Sequence, residues 1–317
     1  LGLRMNPEFE HYGPENQHRI FIGDALDGVR LLEKSTIRLT ATSPPYWNVK
    51  DYAVEGQLGY GEELRTYLNY MNDLAKELLR VTAPNGKAAI NTSAIPISKE
   101  HGSDPMLIDS GRSRVVDLPS LIQIEFLNAG WELSNIIIWD KRKYNNQRIF
   151  GSYPYPPNFF SHISFEMIHV FRKPGDSPKS DVSAENKAES ILTMDEWKDW
   201  CFDSIWDIPP VIKFHGNDVN SLNHDAPYPA EIPQRLIKMF SFVGDTILDP
   251  FVGTGTTLGV ANNLGRKGIG IELNPKLKEM IKMRTVNLEI RAKEVKQKQD
   301  HMSWDQFMPQ AAADEDE

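Results

Sequence analysis

Apolar positions in this chain follow two rhythms that alternate along its length. Arg19-Ile20-Phe21-Ile22 is a short apolar run stopped by Gly23-Asp24, the pattern of a strand entering a turn. Ile37 to Ala41 is a second strand, β-branched and alternating, broken at Ser43-Pro44-Pro45. From Leu64 to Val81 the period changes. Leu64, Tyr67, Leu68, Met71, Leu74, Ala75, Leu78 and Leu79 recur at three-to-four spacing, which predicts an amphipathic helix. Pro84-Asn85-Gly86 turns the chain into a strand over Lys87 to Asn91, and Asp117 to Ala129 predicts a helix ended by Gly130. Leu133 to Trp139 reads as a buried strand through Ile136-Ile137-Ile138, and Phe165 to Phe171 as another.

The rhythm then lapses. Lys173 to Ser190 is polar and reads as a surface loop. Thr193-Met194-Asp195-Glu196 has capping-box spacing and starts a short helix carrying Trp197 and Trp200. Ser204 to Asp225 is irregular, with Pro209, Pro210 and Gly216, and reads as an insertion. Regularity returns with a helix from Ala230 to about Phe242, a strand over Thr246 to Leu248 and a glycine turn. A helix over Thr256 to Leu264, a strand over Gly268 to Ile271 and a last helix from about Pro275 to Lys298 follow. Strands alternating with helices predict an α/β fold, its sheet mostly parallel and covered on both faces. The 317 residues suffice for one large domain of that kind with an insertion.

Composition changes this picture little. The chain is 40% hydrophobic and 25% charged, as soluble globular proteins are. No apolar run approaches the roughly 18 residues of a membrane span. Leu1 to Gly13 lacks the apolar core of a secretory signal. The lone cysteine, Cys201, excludes an intrachain disulfide or a Cys-rich metal centre and fits a reducing cytoplasm. Between Trp200 and Phe202 it is expected to be a small buried hydrophobe.

Charge needs more care. A net charge of −9 argues at first against nucleic acid, but binding needs only a local basic patch, and part of the acidity sits in the Asp314-Glu315-Asp316-Glu317 tail. Of two basic clusters, Lys276 to Lys298 reads as a solvated helix face. Lys141-Arg142-Lys143 with Arg148 is interleaved with Tyr144, Asn145, Asn146 and Gln147, side chains suited to phosphates and base edges.

Two motifs carry chemistry. Thr246 to Thr257 reads strand, tight turn, helix, with Asp249-Pro250-Phe251-Val252-Gly253-Thr254-Gly255 at the turn. Glycines there let backbone approach a ligand, and the unpaired N–H groups of the following helix point at it. Glu272, at the end of the next strand, is placed for two ribose hydroxyls. Position 258 is Leu and no Gly-Lys-Ser/Thr follows, so the pyrophosphate grips of dinucleotide sites and P-loops are missing. An adenosine without phosphates, such as S-adenosylmethionine, suits what is left.

The second motif is Thr42-Ser43-Pro44-Pro45-Tyr46-Trp47. An aromatic amine is a poor nucleophile because its lone pair is delocalised into the ring. Oxygen acceptors for its N–H groups drive the nitrogen towards tetrahedral and localise the pair. Ser43 offers a hydroxyl, two prolines hold the Pro44 carbonyl outside any helix, and Tyr46 offers a face for an extruded base.

Together, in this order, the motifs resemble those of the DNA amino-methyltransferases, within them the circularly permuted β class whose catalytic motif comes first. Asp51-Tyr52, Gly56-Gln57, Gly59-Tyr60, Ile137 to Lys141, Phe165-Glu166, Val170 to Lys173 and His224 to Pro229 resemble further landmarks of the family, from about Ile20 to Ile271. In that family Ser-Pro-Pro-Tyr usually accompanies cytosine N4 and Asp-Pro-Pro-Tyr adenine N6. The resemblance implies a Rossmann-like methyltransferase fold with a seven-stranded sheet, one strand antiparallel, and a target-recognition insertion. It divides the chain into a catalytic half (18–173), the insertion (174–223), a cofactor half (224–298) and an acidic tail (299–317).

The implied activity is methyl transfer from S-adenosyl-L-methionine to N4 of a flipped cytosine in double-stranded DNA, with adenine N6 as the alternative base. The implied catalytic residues are Ser43, Pro44, Pro45 and Tyr46. Asp24, Asp249, Phe251, Gly253, Gly255, Thr256, Glu272 and Pro229 are the cofactor residues, Gly23-Asp24 near the adenine and Pro229 near the methionine moiety. Trp47, Lys141, Arg142, Lys143 and Arg148 are the DNA residues. No metal is implied. Partners implied by the family are a restriction endonuclease acting on the same site and a second copy of the chain in a homodimer. Cytosine C5 chemistry is excluded, since it needs a Pro-Cys nucleophile and Cys201 follows Trp200.

Overall fold

The computed structural model describes residues 8–97, 104–107, 113–144, 150–151, 156–157, 159–176, 182–211 and 229–288. The chain opens with β1 (Glu10–Tyr12), β2 (His18–Ile22), α1 (Ala25–Arg30) and β3 (Ile37–Thr42). The long helix α2 (Leu64–Val81) leads directly into β4 (Thr82–Thr92). A short hairpin follows, β5 (Ile95–Ile97) with β6 (Arg114–Val116), then α3 (Leu118–Asn128) and β7 (Glu132–Asp140). β8 (Phe150–Gly151) pairs with β9 (Phe159–Phe160) ahead of β10 (Phe165–Arg172). Then come α4 (Ala184–Glu189), α5 (Met194–Cys201), β11 (Ile205–Asp207) and α6 (Glu231–Phe240). The last elements are β12 (Thr246–Asp249), α7 (Thr256–Asn263), β13 (Lys267–Glu272) and α8 (Lys278–Asn287).

Nine strands form the main sheet, in the order β1-β2-β13-β12-β3-β4-β10-β7-β11. From β2 to β4 all neighbours are parallel; β10 runs antiparallel to both β4 and β7. The seven strands from β2 to β7 are therefore those expected, with one reversed. The two additions are three-residue edge strands, β1 antiparallel to β2 and β11 parallel to β7. β11 corrects the expectation of irregular chain after Ser204. Trp206 at its centre is fully buried, and Trp139 Nε1 donates to the Ile208 carbonyl at 2.6 Å. The described part of the stretch read as an insertion is thus stitched to the edge of the sheet.

Alternation along the central strands separates two cores. Leu248, Ala88 and Ile90 face α1, α2 and α3, while Ile247, Leu39, Ala41 and Ala89 face α6 and α7. α2 spans the predicted helix. Of its stripe, Leu64 to Leu78 is buried and Leu79 half-buried; each fully buried Leu contributes roughly 1.5–3 kcal/mol. The run Ile136-Ile137-Ile138 is not wholly inside: Ile137 is buried and Ile136 is 42% exposed. Pro84-Asn85-Gly86 is a bulge within β4 rather than a turn before it, with Asn85 at φ 58° and the register slipping against β3. The capping box forms at Thr193 and Glu196. Cys201 is exposed at the end of α5, because Trp200 rather than Cys201 takes the inward position. No described helix is long and apolar enough to cross a membrane.

Candidate active site

From the junction of β12 and β3 the strand order runs both ways. β3 continues through α2 to β4, and β12 through α7 to β13 on the other side. A crevice opens at the carboxyl ends of parallel strands at such a switch point, the usual ligand site of open α/β sheets. Both motifs stand there, one leaving β3 and the other leaving β12.

The two are joined directly. Thr42 Oγ1 donates to Asp249 Oδ1 at 2.6 Å, and the Phe251 N–H donates to the same oxygen at 3.1 Å. Asp249 is buried, which pushes its carboxyl above the usual range, against the hydrogen bonds from Thr42, Thr257 and Phe251. It was expected to meet the cofactor. Its position makes it the tie between the two turns.

After Thr42 the chain turns through Ser43-Pro44-Pro45. Tyr67 of α2 donates its hydroxyl to the Pro45 carbonyl at 2.9 Å. Among the described residues no donor reaches the Pro44 carbonyl, which leaves that acceptor for a ligand. Ser43 Oγ donates to the Tyr46 hydroxyl at 3.2 Å, and Tyr46 donates to Glu166 Oε2 at 2.7 Å. Asn91, at the end of β4, donates from Nδ2 to the same Glu166 oxygen at 2.7 Å. Lys141 Nζ meets Glu166 Oε1 at 2.5 Å and lies 4.9 Å from the Trp139 ring centre. Glu166, Asn91 and Thr42 were not foreseen as site residues. Glu166 had stood out only as a family landmark.

The cofactor turn is built from backbone. Gly253 sits at φ 54° and Gly255 at φ 87°, the latter capping α7. A Cβ at 253 would meet nothing nearer than the Phe251 carbonyl at 4.0 Å, whereas one at 255 would lie 3.2 Å from Ile281 backbone atoms. Gly253 thus borders open space and Gly255 packs against α8. Glu272 Oε2 accepts from the Gly253 N–H at 3.0 Å, Oε1 from the Asn274 N–H at 2.9 Å. Burial raises the Glu272 carboxyl, opposed by those N–H groups. Arg284 braces the turn from α8, donating to Thr254 Oγ1 at 2.7 Å. Thr256 is buried in the first turn of α7, Phe251 lies half-buried against the core, and the buried Pro229 accepts from the Ile232 N–H ahead of α6. An open glycine corner beside a fixed carboxylate fits a ribose with its two hydroxyls.

Other expected residues are placed differently. Asp24 is the N-cap of α1, accepting from Leu26 and Asp27 N–H groups, and its second oxygen takes the Tyr70 hydroxyl at 2.7 Å. Trp47 is only 3% exposed and donates to the Glu62 carbonyl at 2.9 Å, so it braces its loop and is closed to DNA. The described members of the basic cluster are each paired. Lys141 is turned inward onto Glu166, Arg142 forks onto Asp140 with Nη2 at 2.7 Å, and Lys143 pairs with Asp207. Arg142 and Lys143 remain exposed; Arg148 lies outside the described residues. Among the described residues there is no His, Cys, Asp or Glu cluster able to hold a metal ion.

The strand order and the two carboxyl-end turns make this a Rossmann-like methyltransferase fold. Residues 37–283 match the DNA methylase family of the N6/N4 type. Type II methyltransferase M.MthZI of Methanothermobacter thermautotrophicus is 32% identical over 281 residues, 84% of this chain and 76% of that protein. M.MjaI of Methanocaldococcus jannaschii is 31% identical over 287 residues, 83% and 89% of the two chains. Among solved structures, the putative DNA modification methylase TTHA0409 of Thermus thermophilus, complexed with S-adenosyl-L-methionine, is similar at TM-score 0.66 and 31% identity, over 84% of this chain and 93% of that one. The cytosine-N4-specific PvuII DNA methyltransferase shares the fold at TM-score 0.57 and 20% identity, over 86% and 88%. The chain belongs to the N6/N4 DNA methylase family.

Proposed function

We propose that the protein transfers a methyl group from S-adenosyl-L-methionine to the exocyclic N4 of a cytosine flipped from sequence-specific double-stranded DNA, as the modification partner of a restriction endonuclease. The observation that carries this is the presentation of the Ser43 hydroxyl and the unengaged Pro44 carbonyl on one rigid turn, tied through Thr42 to the cofactor turn. Ser43 at the first position is the feature that favours cytosine over adenine. The order of the motifs along the chain is that of the permuted β class.

S-adenosylmethionine supplies an electrophilic methyl on sulfur. Glu272 would hold its ribose, the Gly253 corner would admit its backbone-facing edge, and Phe251 would flank it. Ser43 Oγ and the Pro44 carbonyl accept the two N–H groups of the amine and localise its lone pair. Tyr46 flanks the base. Exposed Arg142 and Lys143 are the cations in place to exchange their carboxylate partners for phosphates.

The test is chemical. The protein is incubated with S-adenosylmethionine and unmethylated DNA, the DNA is digested, and the methylated nucleoside is identified by mass spectrometry. N4-methylcytosine is expected; N6-methyladenine would keep the site and overturn the choice of base. Ser43→Ala is expected to lower the methylation rate on the order of 10²-fold while DNA affinity holds. Loss of binding instead would remove Ser43 from the reaction centre.

A further inference from the structure

Glu166 ends a hydrogen-bonded chain that starts at Ser43, and the direction of that chain is fixed by chemistry. An ionised carboxylate can only accept, so the Tyr46 hydroxyl 2.7 Å from Glu166 Oε2 must donate to it. The Tyr46 oxygen is then left with its lone pairs, and it takes Ser43 Oγ–H at 3.2 Å and Asn91 Nδ2–H at 3.1 Å. With its own proton aimed at Tyr46 and only the long 3.5 Å approach of Asn91 Nδ2 to its oxygen, Ser43 keeps acceptor capacity for a donor from outside. Such aligned bonds polarise one another and make Ser43 a better acceptor. Lys141, from the end of β7, takes the other carboxylate oxygen at 2.5 Å.

The reaction needs such a chain. In methyl transfer the new N–C bond forms as the S–C bond breaks, and the bonding pair stays on sulfur. The amine nitrogen is left with one proton too many. We propose that this proton leaves through Ser43 and Tyr46 to Glu166. Ser43 Oγ takes the amine proton and gives its own to the Tyr46 oxygen, which gives its own to Glu166 Oε2. Serine and tyrosine end unchanged, the amine ends neutral, and the carboxylate ends as the acid. Glu166 acts through Tyr46 and Ser43 and is a positioning residue. The groups facing Glu166 are Lys141 from β7, Tyr46 from the catalytic turn and the neutral Asn91 from β4. This rests on the amine-methylation reading above.

Single-turnover methylation at saturating DNA and S-adenosylmethionine, beside equilibrium binding of each, tests it in wild type, Glu166→Gln and Tyr46→Phe. Glu166→Gln should be slower on the order of 10²-fold with DNA and S-adenosylmethionine affinity held. Tyr46→Phe, which keeps the ring and the Lys141–Glu166 pair, should be slowed alike, with both binding constants held. If Glu166→Gln fails to fold, Tyr46→Phe decides alone. Wild-type rates in Tyr46→Phe, or a slow Glu166→Gln whose loss lies in DNA or S-adenosylmethionine affinity, overturn the relay. A wild type that methylates nothing overturns the function on which the relay rests; an active wild type with indifferent variants overturns the relay only.

Discussion

Thr42 and Asp249 stand 207 positions apart and meet across neighbouring strand ends in one hydrogen bond of 2.6 Å. Both are buried, so Thr42→Val would leave the Asp249 carboxylate one partner short in a place water does not reach. The expected cost is about 1–3 kcal/mol of stability in urea unfolding. The methylation rate should fall more than S-adenosylmethionine affinity, because the cofactor turn keeps its bonds from Phe251 and Thr257 while the catalytic turn loses its anchor. A variant matching wild type in both stability and rate would make the bond idle. Contacts of this kind were out of reach in the sequence. Asp249 and Glu272 both read as cofactor groups because each ends a strand beside the glycine turn, and only the partner of Asp249 separates their roles. Trp47 shows the same limit, since an aromatic in a motif reads alike whether it braces a loop or meets a ligand.

Elements were legible in proportion to their length and regularity. The 18-residue stripe of α2 and the reciprocal cap of α5 follow from local rules that operate within one or two turns. β11 was missed because three residues cannot display a period, and Trp206 becomes a core residue only when β7 lies beside it. The turn before α7 was read correctly as a glycine turn, but its two glycines serve different ends. Gly255→Ala puts a Cβ at φ 87° and 3.2 Å from the Ile281 backbone, so stability should drop by about 1–3 kcal/mol. Gly253→Ala carries a similar backbone strain at φ 54° but meets only open space, so S-adenosylmethionine affinity should suffer as well. Calorimetric titration beside denaturant unfolding separates the two. Equal affinity losses in both variants would contradict the assignment of Gly253 to the ligand side.

At the scale of the molecule, the sheet divides its tasks between its two ends. The carboxyl ends of β3, β12 and β13 carry the site, while the opposite end, where β3, β4 and β10 lie side by side, gathers Arg38, Lys87 and Arg172. Partial burial, with Arg172 and Arg38 adding repulsion, holds the Lys87 ammonium down to about 8. Unfolded, the same lysine has a pKa of about 10.4. Below about 8 both states are protonated, and the folded chain carries the whole cost of the charge. Between the two values the unfolded chain still binds the proton that the folded chain has released, so the contribution of this group to stability rises with pH. Lys87→Met removes the titration and keeps most of the aliphatic stem. Its stability relative to wild type should therefore be greatest near neutral pH and should shrink towards alkaline pH, as followed by urea unfolding at paired pH values. Methylation by the folded variant should be unaltered, since among the described residues the Lys87 ammonium hydrogen-bonds to Asn85, at the far end of the sheet from Ser43. A difference that stays constant with pH would mean that Lys87 is charged alike in both states, and that this end of the sheet tolerates three cations without displacing a proton.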